Sequence, residues 1–163
     1  MKKILALLAI FSFVWLSAQN TFVKDNYTKK EVYITMRDGV KLFTSIYIPK
    51  DISAKNKYPI LMQRTCYSVA PYGEDQFKKN LGPNKFLQNE KYIFVYQDVR
   101  GRYMSEGTFT NMTPQVDHKT KKDIDESTDT YDTIDWLVKN IQNNNGNVGQ
   151  YGTSYPGFYA AVG

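Results

Sequence analysis

The chain has 163 residues, 42% hydrophobic and 23% charged, which is ordinary for a globular protein and long enough for one domain with a real core. Its formal charge is +5, but Lys2 and Lys3 supply two of those charges and others fall in short pairs at Lys29-Lys30, Lys78-Lys79 and Lys121-Lys122. No basic stripe results, so nucleic-acid binding is excluded as the main role, and the single cysteine, Cys66, excludes an internal disulfide.

The N-terminus reads as a secretory signal over residues 1–19. Lys2 and Lys3 form a basic start, Ile4 to Leu16 is an apolar run broken only by Ser12, and Ser17-Ala18-Gln19 suits cleavage. The run is short for a membrane span, so an uncleaved anchor is the weaker alternative. The expectation is export to the periplasm or the outside, with cleavage between Ala18 and Asn20 and no membrane contact afterwards.

The remainder, residues 20–163, reads as one catalytic domain. Thr21 to Lys30 is a polar lead. Glu31 to Met36 and Lys41 to Ile48 alternate like strands around the turn Arg37-Asp38-Gly39-Val40, which predicts a hairpin. Pro49 to Lys57 is a loop, and Tyr58 to Gln63 is a buried strand. Cys66, just past that strand, reads as a buried inert thiol. A helix is expected over Glu74 to Asn89, interrupted near Gly82-Pro83. Tyr92-Ile93-Phe94-Val95-Tyr96 is the strongest buried-strand pattern in the chain.

Gln97 to His118 reads as a long polar loop, and a loop of that length inside a compact domain is more often functional than idle. Lys122 to Asn140 reads as a helix with Tyr131, Ile134, Trp136, Leu137, Val138 and Ile141 on its apolar face. Asn143 to Asn147 breaks it, Gly149-Gln150-Tyr151 forms a short strand, and Phe158 to Val162 begins another helix. An antiparallel hairpin followed by alternating buried strands and helices implies an α/β class with a mostly parallel sheet. That order is the N-terminal half of an α/β-hydrolase sheet.

Chemistry concentrates at Gly152-Thr153-Ser154-Tyr155-Pro156-Gly157. The pattern G-x-S-x-G places a serine on a sharp turn between strand and helix, with its hydroxyl exposed for attack. Gly152 and Gly157 leave room for the turn, and Pro156 falls in the first helical turn, where its missing N–H costs nothing. Ser154 is the candidate nucleophile. The Tyr155 backbone N–H is the first oxyanion donor this geometry requires. A glycine-rich turn with an incidental serine is the bland alternative.

His118, the only histidine, precedes the serine, whereas the base of this class follows it, so a structural or surface role is expected. Asp98-Val99-Arg100-Gly101-Arg102 either carries a catalytic carboxylate or forms an Asp–Arg network that holds the long loop, the second being favoured. The acidic run from Asp123 to Asp135 lacks the glycine and closing glutamate of a calcium loop, and reads as a solvated helix start. No metal or organic cofactor is implied.

Taken together, Val95 to Arg102, Ser105-Glu106-Gly107, Tyr131 to Leu137 and Gly149 to Gly157 resemble the N-terminal catalytic part of the α-amino acid ester hydrolases, grouped with cocaine esterase, glutaryl-7-aminocephalosporanic acid acylase and X-prolyl dipeptidyl-peptidase. The resemblance runs from about Lys29 to the last residue. It implies serine acyl hydrolysis through an acyl-enzyme on esters or amides of α-amino acids, β-lactam side chains or short peptides such as X-Pro. It also implies a second oxyanion donor, a tyrosine hydroxyl in an R-[TN]-P-Y segment; Arg64-Thr65-Cys66-Tyr67 matches it and assigns Tyr67. The departure is Cys66, where the family carries a proline that would stiffen the approach to the tyrosine.

Family members are several-fold longer, with the triad acid and histidine, a helical cap and a jelly-roll domain beyond the position of Gly163. The expectation is therefore a fragment that is inactive alone, from a full-length protein whose partner is a small ester, amide or peptide and which leaves homo-oligomerisation open. A non-catalytic exported binding module with a vestigial elbow is the alternative.

Overall fold

A computed structural model describes residues 21–117 and 119–163. The signal segment and His118 lie outside the described residues.

The first short helix, α1 (Phe22–Asn26), leads directly into β1 (Tyr27–Thr35), which pairs antiparallel with β2 (Lys41–Pro49) from Tyr27↔Pro49 to Thr35↔Lys41. The expected polar lead is thus half helix and half strand. Val23 and Tyr27 explain it: both are buried, and the Tyr27 hydroxyl donates to the Gln88 carbonyl at 3.0 Å. Apolar burial and backbone pairing recruit the polar residues between them. Gly39 turns the hairpin at φ +88°, a conformation glycine adopts without a steric penalty.

Strands β3 (Tyr58–Thr65), β4 (Ile93–Asp98) and β5 (Asn144–Gln150) complete a sheet of order β1-β2-β4-β3-β5. The hairpin joins β4 antiparallel, and β4, β3 and β5 run parallel. β4 is central and all six of its residues are buried. Its period of two separates the faces: Ile93 and Val95 join an aliphatic core with Ile34, Leu42, Ile46, Ile60 and Met62, while Phe94 and Tyr96 join an aromatic one with Tyr27, Phe43 and Tyr47.

The segment from Glu74 to Asn89 departs from the expected helix. Only α2 (Lys85–Asn89) is helical. The preceding N–H groups are satisfied by side chains instead: Lys78 N–H by the Tyr47 hydroxyl, Leu81 N–H by Gln88 Oε1 at 2.7 Å and Gly82 N–H by the Tyr96 hydroxyl at 2.8 Å. Those buried tertiary partners replace the i→i−4 ladder.

Helix α3 (Glu126–Asn140) begins four residues later than expected, at a capping box in which the Asp125 side chain accepts from Thr128 N–H at 2.9 Å and the Thr128 hydroxyl accepts from Asp125 N–H at 2.9 Å. Burial alone would raise the Asp125 pKa, but the Val116 N–H, the Lys119 ammonium and the Thr128 N–H outweigh it and hold the carboxyl at about 2. The buried face also differs. Leu137 is fully buried as expected, but Tyr131 is exposed, and Glu126, Asp129, Thr130 and Thr133 point inward.

Those polar residues meet Arg64, which is 0% exposed. Its Nε donates to Gln97 Oε1 at 2.9 Å, and its Nη1 donates to the Glu126 carbonyl, Glu126 Oε2 and Thr130 Oγ1 at 2.9–3.0 Å. Asp129 adds an ion-pair contact at 3.6 Å. Burial pushes the Glu126 carboxyl up, and the Arg64 charge opposes that shift. Strand β5 starts at Asn144 rather than Gly149 because the Asn144 amide donates to the Val138 and Ile141 carbonyls at the end of α3, so the asparagine run ends the helix and starts the strand together.

Two outcomes follow for the intact protein. Arg64→Met leaves the Glu126 carboxylate buried without its cation and Asp129 with Arg100 alone, and lowers stability by about 3–5 kcal/mol in chemical denaturation. Asp125 has a folded pKa below its unfolded value of about 4, so its contribution is full above pH ~4 and is lost as pH falls towards 2. Asp125→Asn keeps the cap but flattens that acid limb in a pH series of melting temperatures.

Candidate functional site

The parallel strands all point their carboxyl ends to one edge, where Thr65 pairs with Asp98 and Met62 with Gln150. The segments that follow them, 66–73, 99–117 and 151–154, therefore gather there, as ligand-binding segments do in α/β sheets.

Ser154 sits between β5 and α4 (Tyr155–Val162), solvent-exposed, at φ 60° and ψ −128°. A non-glycine residue rarely holds a positive φ, and such strain persists only where the surroundings impose it. Here the imposing contact is glycine on glycine: the Gly152 Cα lies so close to the Pro156 carbonyl and the Gly157 N–H that any side chain on Gly152 would overlap them. Pro156 lies in the first turn of α4, and the Ser154 hydroxyl makes no capping bond to the helix. It is left exposed at the positive end of the helix dipole. As the first helical residue, Tyr155 has an N–H without an intrahelical acceptor.

The Tyr155 side chain is a hub. Its hydroxyl donates to Asn111 Oδ1 at 2.7 Å and accepts from Met112 N–H at 2.6 Å, which ties the long loop to the elbow. Its ring packs against Tyr159 at 5.0 Å and Phe158 at 5.9 Å between centroids. Tyr67, 60% exposed, stands edge-on to the same ring at 6.2 Å and 87°. The elbow and the tyrosine after β3, far apart in sequence, are neighbours. Cys66 is buried beside Val99 and Tyr159, as expected of its position just past the strand.

The Asp98 to Arg102 run is a structural network, but not the internal Asp–Arg one favoured from sequence: Asp98 and the two arginines each find partners elsewhere. Asp98 is 0% exposed and accepts from Val69 N–H at 3.0 Å and the Tyr72 hydroxyl at 2.9 Å. Burial pushes its carboxyl up, against these hydrogen bonds. Burial likewise pushes the Tyr72 phenol up to about 12, so at neutral pH it carries its proton and donates. Arg100 pairs with Asp38 and Asp129, both at 2.7 Å, and Arg102 donates to the Cys66 carbonyl at 3.1 Å while lying over Phe109 and Tyr103. Among the described residues no cluster of three or more His, Cys, Asp or Glu is placed to hold a metal ion.

Sequence reasoning missed the Arg64 network and the Tyr72–Asp98 pair. A trace existed for the first: Arg64 and Gln97 are polar residues ending otherwise apolar strands, and buried groups of that kind require partners. For the second, nothing in the spacing links Tyr72 to Asp98.

Comparison with known proteins converges on one group. The sequence model for X-Pro dipeptidyl-peptidase (S15 family) matches residues 38–163. Cocaine esterase from Rhodococcus sp. (strain MB1 Bresler) is 33% identical over 138 residues, 83% of this chain and 21% of that protein. An aminopeptidase from a marine sediment Thaumarchaeota archaeon aligns with a TM-score of 0.73 and 42% identity, over 84% of this chain and 23% of that one. An α-amino acid ester hydrolase aligns with a TM-score of 0.71 and 40% identity over the same shares. The chain thus spans between a fifth and a quarter of the length of these proteins.

The elbow geometry sets opposite outcomes for two neighbouring positions. Ser154→Gly relieves the positive φ and raises stability by about 1 kcal/mol in thermal unfolding of the intact protein. Gly152→Ala drives a methyl into the Pro156 carbonyl and lowers the yield of folded protein.

Proposed function

Because the chain belongs to the X-Pro dipeptidyl-peptidase (S15) family of hydrolases, we propose that it is the nucleophile-bearing part of an exported serine hydrolase. Its sheet is the N-terminal part of the α/β-hydrolase fold. The substrates are esters or amides of α-amino acids, β-lactam side chains or short peptides of the X-Pro kind.

In this reading Ser154 Oγ attacks the acyl carbonyl and passes its proton to a base. The new C–O bond places negative charge on the former carbonyl oxygen, which the Tyr155 N–H and the Tyr67 hydroxyl receive. Collapse expels the alcohol or amine, which takes up a proton, and leaves an acyl-Ser154 ester that water hydrolyses. In the chain order of this class the histidine base and its orienting carboxylate follow the serine. Export is supported by the basic, apolar and small-residue order of Met1 to Gln19.

The observation that carries the reading is the backbone of Ser154. An exposed serine at φ 60°, at a helix N-terminus where its hydroxyl makes no capping bond and where the next residue, Tyr155, packs against Tyr67 from the end of another strand, has no structural use that would repay its strain.

A fluorophosphonate probe on the full-length protein is expected to label Ser154, with labelling abolished in Ser154→Ala. Tyr67→Phe is expected to lower kcat by about 10²-fold while KM stays within a few-fold, the pattern of a donor used only in the transition state. An unlabelled Ser154 in folded full-length protein would return the chain to a non-catalytic binding module.

A further inference from the structure

Tyr67 lies on an irregular segment, residues 66–73, and is largely exposed. Cys66 stands where a proline would have stiffened its approach. A hydroxyl that stabilises developing charge must nevertheless be held close to one position, because a small displacement forfeits much of its effect.

The segment is held from below by buried side chains. Asp98, at the end of the central strand, grips it twice: Oδ1 accepts from Val69 N–H and Oδ2 from the Tyr72 hydroxyl. Tyr72 then reaches back to Ser68, whose Oγ lies 2.9 Å from the phenol oxygen. A phenol has one proton, and here it is directed at the Asp98 carboxylate, so the Ser68 hydroxyl donates to Tyr72. Beyond Tyr72's reach, the Lys78 ammonium donates to the Ala70 carbonyl at 2.7 Å, and the buried Lys29 ammonium donates to those of Pro71 and Gly73 at 2.6 and 2.8 Å.

Ser68 is the residue directly after Tyr67, and it sits at φ +83°. An L-residue leaves that region unless something holds it. The hydrogen bond to Tyr72 is a side-chain tether on Ser68, and Val69 N–H to Asp98 secures the next peptide. If the tether is cut, Ser68 relaxes, the peptide it shares with Tyr67 rotates, and the Tyr67 ring turns away from Tyr155.

We propose that Tyr72 and Asp98 are positioning residues that aim the Tyr67 hydroxyl, through a relay running from Asp98 to Tyr72 to Ser68. This rests on the reading of Ser154 as nucleophile and Tyr67 as oxyanion donor. The relay does for this chain what the missing proline would do through the backbone. In this proposal the whole effect of the relay passes through Tyr67.

The test is a double-mutant cycle in the full-length protein, with an activated ester for kcat and KM and a fluorophosphonate for the labelling rate of Ser154. Tyr72→Phe, which removes one hydroxyl and keeps the ring, is expected to lower kcat about 10-fold with KM unchanged within about twofold. In a Tyr67→Phe background the same change is expected to cost nothing further. If Tyr72→Phe does not fold, Ser68→Ala cuts the relay nearer its end and is expected to show the same dependence on Tyr67.

Wild-type kcat in both Tyr72→Phe and Ser68→Ala would overturn the relay. So would an undiminished loss in the Tyr67→Phe background, since the tyrosine would then act on the fold rather than through the hydroxyl. Absence of Ser154 labelling in the wild-type protein would sink the serine-hydrolase reading itself, whereas normal labelling with uncoupled effects would sink the relay alone.

Discussion

A single buried guanidinium organises this half-sheet. Arg64, one residue from the end of β3, reaches Gln97 on β4, and carries Glu126, Thr130 and Asp129 of α3 with it, while its guanidinium carbon lies 5.8 Å over the Tyr159 ring of α4. Taking a cation out of water is expensive unless anions and hydrogen-bond acceptors follow it. That requirement explains why the N-terminal half of α3 buries polar residues where an amphipathic helix would bury apolar ones. It also fixes α3 against the same strand ends that carry the candidate site.

The site depends on that fixation because it is built from strained parts. Among the described residues, Ser68, Tyr103, Met112 and Ser154 are non-glycine residues of positive φ in the segments at the carboxyl edge. Three of them have identifiable restraints. Ser154 is held by the closure of Gly152 on Pro156 and Gly157; Ser68 is tethered to Tyr72; and Met112 N–H is bonded to the Tyr155 hydroxyl. The long loop is further anchored by Arg100, whose guanidinium pairs with Asp38 on the hairpin turn and Asp129 on α3. The sheet edge therefore brings Tyr67 and the elbow side by side.

The parts legible in sequence were those governed by local rules. The D-G turn of the hairpin, the apolar run of β4 and the G-x-S-x-G elbow depend on neighbouring residues, and each stands where the pattern placed it. The errors arose where distant partners outvoted local preference. Residues 74–84 have a helical composition, but Tyr47, Tyr96 and Gln88 take their N–H groups. Tyr131 looked like a core residue by periodicity, but Arg64 rotates the buried face of α3 towards its polar side.

The sequence by itself determined the class of sheet, the turn that exposes Ser154 and the family, because strand alternation, turn chemistry and short motifs are properties of adjacent residues. Only the tertiary structure decided that Tyr67 stands against Tyr155, that Asp98 holds the Tyr67 segment and that Arg64 locks the edge beneath them. Such pairings join residues tens of positions apart. They exist because burying a charge or a backbone N–H demands a partner, and the chain path, rather than local spacing, determines which partner is within reach.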